Sequence, residues 1–351
     1  MSEFLEQYSE IGPLLKALQV KRPFLCCGKS FQKTEVFRYL QQFEPVIFDH
    51  IRPNPRFDDM LTAAAVMQQT GCDFMIAAGG GSPMDSAKMI RLLTTNEADK
   101  ALTEPMQNNK IKALFIPTTA GTGSEATKTS VFYLHETEKF SVHNLDFIPD
   151  YVLFDESLLQ TVPPYQRRAT CLDALCHAIE SYWSTKATPE SCDYAARAIR
   201  LFFEHKDSYL RNEPAGNRGM LMASYYGGKA INLTGTTAPH ALCYSITMRC
   251  GTAHGHSVAM VLAKMWQEML KGEYPHAVLT SLAQLMGGSA PADGAAIFNA
   301  LLAELELSFP RVAAEELERF AAGVNTAKLV TNPVPLDGTA VRELYRKVLC
   351  E

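Results

Sequence analysis

Along the first 150 or so positions, apolar residues come in short runs separated by stretches with helical spacing. Pro23–Cys27 is a continuous apolar run that predicts a buried strand, followed by Gly28-Lys29-Ser30 and a helical stretch through Leu40. Pro45–Phe48, Phe74–Ala78, Ala113–Ile116 and Tyr151–Phe154 read as further strands. Phe57–Gln69 and a stretch ending at Leu93 read as helices. Strands alternating with helices predict a parallel sheet covered on both faces, which binds ligands at the carboxyl ends of its strands. After Thr161-Val162-Pro163-Pro164 the periodicity is helical to the last residue. We expect an α/β domain over residues 1–162 and an all-helical domain over 163–351, with the two prolines either a hinge or an ordinary loop.

Composition narrows the picture modestly. A chain of 351 residues is long enough for two cores. The net charge of −5 has its signs well mixed, so no basic stripe points to nucleic acid. No run of about 18 apolar residues exists to span a membrane. The start Met1-Ser2-Glu3-Phe4-Leu5-Glu6 lacks the basic and apolar regions of an export signal, which leads us to expect the cytoplasm. Nine cysteines without a C-x-x-C pair read as buried thiols, with a thiol metal site as the less favoured alternative.

Two loops carry candidate ligand chemistry. Phe74–Ala78 runs into Gly79-Gly80-Gly81-Ser82-Pro83-Met84-Asp85, where glycines allow close backbone approach. Ser82 reads as an N-cap, Pro83 as the first helical residue and Asp85 as the partner in a capping box. The free N–H groups of such a helix start suit an anion, although three glycines also make an ordinary turn. A second loop, Thr118-Thr119-Ala120-Gly121-Thr122-Gly123-Ser124-Glu125, follows another strand and gathers hydroxyls and small residues. Together the loops favour a nucleotide. Neither has the G-x-G-x-x-G spacing of the common dinucleotide fingerprint.

Asp173 and His177 lie four apart in a helical stretch, which sets both on one face. Helix-face hydrogen bonding gives the same spacing, so the pair alone decides little. Three of the chain's nine histidines, His240, His254 and His256, fall within 17 residues of an apolar, glycine-containing stretch. A carboxylate with three imidazoles suits Fe²⁺ or Zn²⁺ with positions left open for substrate.

These segments together resemble the iron-containing alcohol dehydrogenase family. The resemblance rests on GGGSPMDSAK at 79–88, PTTAGTGSEAT at 117–127, PDYVLFDESLL at 149–159 and DALCHAIESYWS at 173–184. The His240–His254 spacing and TNPVPLDGTAVRELY at 331–345 extend it over nearly the whole chain, in order. It implies a dinucleotide-binding α/β domain and a helical metal-binding domain, as in dehydroquinate synthases, with the active site in the cleft between them. It also implies a homodimer. Asp173, His177, His240 and His254 fall on the family's metal-ligand positions. Gly80, Gly81, Ser82, Asp85, Thr118, Thr119 and Ser124 fall on cofactor-contacting positions, and Lys139 aligns more loosely with a lysine near the cofactor ribose. The reaction implied is metal-assisted, NAD(P)H-linked reduction of a small aldehyde to an alcohol.

The departures are informative. Tyr244 stands where many members have a second histidine, which leaves open whether it relays protons. No acid follows the first long strand, where NAD-preferring members hold the ribose; Gly28, Lys29 and Ser30, with Lys33 nearby, lean instead to NADP(H). The 237–256 segment is similar to the phosphonoacetaldehyde reductase branch, which makes 2-hydroxyethylphosphonate on the way to phosphonate natural products. Arg249 and His256, set inside the metal-bearing segment, are the candidates to hold a phosphonate. A general short-chain aldehyde reductase is the close alternative; a glycerol dehydrogenase or dehydroquinate synthase-like enzyme is the more distant one.

Overall fold

The computed structural model describes residues 2–52, 54–134, 138–272, 274–324 and 329–351. The chain divides into two compact units, Met1–Val162 and Pro163–Glu351.

The first unit holds eight strands: β1 (Glu3–Leu5), β2 (Pro23–Cys27), β3 (Val46–Phe48), β4 (Phe74–Gly79), β5 (Lys112–Pro117), β6 (Thr129–Leu134), β7 (Glu138–His143) and β8 (Tyr151–Leu153). Its helices are α1 (Ile11–Ala17), α2 (Glu35–Gln41), α3 (Phe57–Gln69), α4 (Gly81–Leu93) and α5 (Ala98–Ala101). Six strands form one all-parallel sheet in the order β1-β8-β5-β4-β2-β3. Every residue of β2 and β4 is buried, as an interior strand covered on both faces requires. The five apolar runs became β2, β3, β4, β5 and β8.

The sequence reading missed β1 and the antiparallel hairpin of β6 and β7. Strand β1 has three residues with only Leu5 buried, too short for a period to show. The hairpin is mostly half-buried, so polar residues dilute its alternation. Its Phe132 anchors it by stacking on Phe57 of α3, with centroids 5.3 Å apart.

The second unit is built from α6 (Pro164–Trp183), α7 (Pro189–Leu210), α8 (Pro214–Thr234), α9 (Ala238–Cys250), α10 (His254–Lys271), α11 (His276–Leu285), α12 (Pro291–Glu304), α13 (Leu317–Ala321) and α14 (Gly338–Leu349). No strand occurs among its described residues. Helix α6 is buried almost all round after its first turn, so it is the central helix of the packing. Helix α10 crosses it closely at Gly255, where a Cβ would lie 2.1 Å from the Ala169 carbonyl oxygen and 2.8 Å from Asp173 Cβ. No helix among the described residues is long and apolar enough to cross a membrane.

Candidate metal centre and nucleotide loops

In the first unit, β4 and β5 are neighbours in the sheet and their carboxyl-end loops meet. Gly79 turns the chain with φ +154°, and a Cβ there would lie 2.5 Å from Pro83 Cγ, so only glycine fits. A Cβ on Gly80 would lie 3.1 Å from Thr119 Oγ1, and one on Gly81 would lie 3.1 Å from Thr122 Cγ2. The Thr118 N–H donates to the Gly79 carbonyl at 2.9 Å. Gly80, Gly81, Ser82, Thr118 and Thr119 are therefore gathered where the amino end of α4 opens, which suits a pyrophosphate.

The capping expectation is corrected. Gly80 is the N-cap of α4 and makes no side-chain cap, while Ser82 is already the second helical residue. Asp85 does not close a capping box. Its Oδ1 accepts from Ser124 Oγ at 2.6 Å and its Oδ2 from the Val131 N–H at 3.1 Å. Asp85 and Ser124, expected to touch the cofactor, bind each other, and Asp85 also binds the hairpin. Lys139 sits on β7 opposite Tyr133, in the hairpin and not in the sheet that carries the loops.

Lys88 is the fastener that sequence reading passed over. Its buried Nζ donates to Ser124 Oγ at 2.7 Å, Thr127 Oγ1 at 3.0 Å and the Thr129 carbonyl at 2.7 Å. Burial lowers its pKa, against the upward pull of Asp85 and Glu125. Glu125 is buried beside it, and desolvation raises its carboxyl to about 7 despite the lysine.

Gly28, Lys29 and Ser30 follow β2 as expected. Lys29 lines a cleft of about 440 Å³ together with Asp49, His50, Arg52 and Asp59. An acid does face this region: Asp49 arrives from the end of β3, the strand next to β2, and accepts from Gln32 Nε2 at 2.8 Å. Sequence order hid it, because the acid follows the second strand and not the first.

In the second unit, three helices bring a carboxylate and imidazoles together. Asp173 and His177 come from α6, His240 from the first turn of α9 and His254 from the first residue of α10. Asp173 Oδ1 lies 3.4 Å from His240 Nε2 and 3.7 Å from His254 Nε2. One ligand atom from each of Asp173, His240 and His254 lies within 4.8 Å of the others. His177, expected as a fourth member, falls outside that grouping. Its ring stacks face to face on His240, with centroids 4.5 Å apart and an interplanar angle of 19°.

The donor set fits a divalent cation. Asp173 Oδ1 and His240 Nε2 are both buried and without a hydrogen-bond partner, a costly state unless something polar joins them. One carboxylate oxygen with imidazole nitrogens suits Fe²⁺ or Zn²⁺. Burial alone would raise the Asp173 carboxyl, but His177, His254 and His240 outweigh it and hold it below the ordinary carboxylate range. Burial alone would lower the His240 imidazole, but Glu180 and Asp173 raise it to about 9. A proton on His240 thus supplies the positive charge when no cation does, and the two compete.

Glu180 was not singled out from sequence. It lies seven residues after Asp173 on the same face of α6 and is fully buried. Its Oε2 pairs closely with His240 Nδ1. The D-x-x-x-H-x-x-E spacing was the signal available. Tyr244 does reach the cluster, its ring stacking on His254 with centroids 5.5 Å apart.

Arg249 and His256 are not brought there. Arg249 is exposed and its guanidinium lies over Phe320 at 5.5 Å. His256 is buried with Nδ1 3.1 Å from the Tyr165 hydroxyl. Two residues of helix rotate by about 200°, so His256 leaves α10 on the face away from His254.

A model of the iron-containing alcohol dehydrogenase family matches residues 5–156, and a model of the C-terminal part of the Fe-containing alcohol dehydrogenase family matches residues 168–349. The chain belongs to the iron-containing alcohol dehydrogenase family. It is 30% identical to an NADPH-dependent butanol dehydrogenase of Clostridium saccharobutylicum, over 71% of this chain and 68% of that protein. It is 29% identical to a phosphonoacetaldehyde reductase of Streptomyces viridochromogenes, over 68% of this chain and 62% of that protein. The solved structure of an iron-containing alcohol dehydrogenase from Thermotoga maritima superposes with a TM-score of 0.86 at 28% identity, covering 100% of this chain and 98% of that one. The fold is that of the family, and the protein is an oxidoreductase of the alcohol dehydrogenase class.

Proposed function

We propose that this enzyme reduces a small aldehyde to its primary alcohol with NADPH, using a divalent cation held by Asp173, His240 and His254 with His177 beside them. The observation that carries the reading is the pair of buried, unpartnered atoms, Asp173 Oδ1 and His240 Nε2, with His254 Nε2 close by. The cation supplies Lewis acidity toward a carbonyl oxygen, and the reduced nicotinamide supplies hydride. Asp173 keeps its negative charge against burial and so favours a cation over neutral occupants. The backbone of Gly80 and Gly81 at the start of α4 holds the pyrophosphate, and Lys88 fixes the second loop from beneath. Lys29 and Ser30 receive the 2′-phosphate of NADPH, a choice supported by the 30% identical NADPH-dependent relative and opposed by Asp49, which lines the same cleft. Tyr244, stacked on His254, is the hydroxyl we assign to deliver a proton from its Oη to the product oxygen.

A short uncharged aldehyde is the favoured substrate, because Arg249 on Phe320 and His256 on Tyr165 leave no cation assigned to a phosphonate. Phosphonoacetaldehyde is the second reading, supported by the 29% identical reductase of that substrate. The test is oxidation of NADPH and NADH by enzyme loaded with Fe²⁺ or Zn²⁺, with butanal, acetaldehyde and phosphonoacetaldehyde in parallel. Higher kcat/KM for butanal supports the first reading, and a marked preference for phosphonoacetaldehyde replaces it with the second. No reduction of any aldehyde with either metal refutes both.

A further inference from the structure

We propose that Glu180 is a positioning residue that selects the tautomer of His240, and that this selection makes Nε2 available to the cation. The proposal rests on the metal reading above and concerns a residue that is not itself a ligand.

Glu180 is fully buried, and its two oxygens have separate tasks. Oε1 accepts three hydrogen bonds: from the Thr237 N–H at 2.9 Å, the Thr237 hydroxyl at 2.8 Å and the His240 N–H at 3.3 Å. The Thr237 hydroxyl accepts from Trp183 Nε1 at 3.0 Å and gives its one hydrogen to Glu180, which as a carboxylate only accepts. Oε1 is therefore saturated by donors, and its place in space is fixed by the first turn of α9. Oε2 is left to face His240 Nδ1. A carboxylate only accepts, so Nδ1 must carry the hydrogen. In the neutral ring Nε2 then presents a lone pair, and Nε2 is the unpartnered atom beside Asp173 Oδ1. A ligating histidine whose far nitrogen is held this way is fixed in both orientation and basicity.

Glu180→Gln tests this almost without change of shape. Three donors converge on the Oε1 position, so the glutamine must keep its oxygen there and turn its NH₂ towards His240. Nδ1 must then accept, which moves the ring hydrogen to Nε2, where it donates to Asp173 and blocks the cation. We expect Glu180→Gln to weaken Zn²⁺ binding by about 10- to 100-fold in competition with a chromophoric chelator. A merely structural role predicts a lower Tm for the metal-free variant with unchanged Zn²⁺ affinity, and that result overturns the proposal. Should the variant not fold, the wild-type enzyme decides: long-range ¹H–¹⁵N correlation of the Zn²⁺-loaded protein must show His240 with hydrogen on Nδ1 and the metal on Nε2. The opposite tautomer overturns the proposal alone. A wild-type chain that takes up no Zn²⁺ overturns the metal reading, and this inference with it.

Discussion

Replacing Gly255 by alanine measures how much the cluster depends on the close crossing of α10 and α6. The added Cβ would sit 2.1 Å from the Ala169 carbonyl oxygen and 2.8 Å from Asp173 Cβ. A carbon–oxygen contact needs about 3.3 Å, so the two helices must part by roughly 1 Å. Two effects oppose each other. Alanine gains up to about 1 kcal/mol of helix propensity over glycine, less near a helix start. Overpacking of this kind costs about 1–3 kcal/mol and is the larger effect because both clashing groups belong to a buried helix. The second unit should lose roughly 2–10 °C in Tm, at about 2–4 °C per kcal/mol for a body of its size. His254 immediately precedes Gly255, so the same displacement moves it relative to Asp173. A misplacement of about 1 Å can lower kcat/KM by roughly 100-fold. Calorimetry of the metal-free protein and steady-state kinetics of the loaded enzyme read the two consequences. An unchanged or raised Tm with wild-type kcat/KM would falsify the crossing argument.

Other perturbations reach other parts of the molecule. Asp173→Ala and His254→Ala should each lower kcat by at least about 100-fold, since removing a ligand forfeits several kcal/mol of charge stabilisation; normal turnover in metal-free His254→Ala refutes the mechanism. Lys88→Met strands the acceptors that now meet Nζ, and should cost about 3 kcal/mol by urea unfolding and weaken NADPH binding by fluorescence titration. Unaltered cofactor affinity would show that the lysine serves packing alone. The folded pKa of Glu125, about 7, lies above its ordinary 4.5, so the folded state holds this proton more tightly and stability falls as pH rises from about 4.5 through 7. That difference is worth up to about 3 kcal/mol, and Glu125→Gln should flatten this fall between pH 5 and 8. An equally steep profile in the variant assigns the dependence elsewhere.

Local periodicity was readable where one element decided the outcome. The pair Asp173 and His177 needed only a helix, and the Gly79–Gly81 turn needed only a strand running into glycines. Glu180 sits in the same stretch, but its burial comes from packing under the start of α9, which no neighbouring residue announces. Asp49 was hidden for a related reason, because sheet order brings the end of β3 beside the end of β2 across some twenty residues of chain. Arg249 and His256 show the opposite case. Nearness in sequence to two histidines suggested nearness in space, whereas helix rotation turned both away. The expected N-cap at Ser82 failed because the positive φ of Gly79 starts the helix two residues early.

Helix α6 contributes Asp173, His177 and Glu180 from successive turns, spanning about 10 Å of axis. The spacing among these three is a property of the α-helix itself and cannot be adjusted without breaking it. His240 and His254 stand on separate helices joined by the short link Gly251-Thr252-Ala253. Any drift in metal preference, whether by selection or by engineering, has to enter through that link and the two helices it connects. A library confined to 251–253 would vary the bite of the site while leaving its ruler untouched.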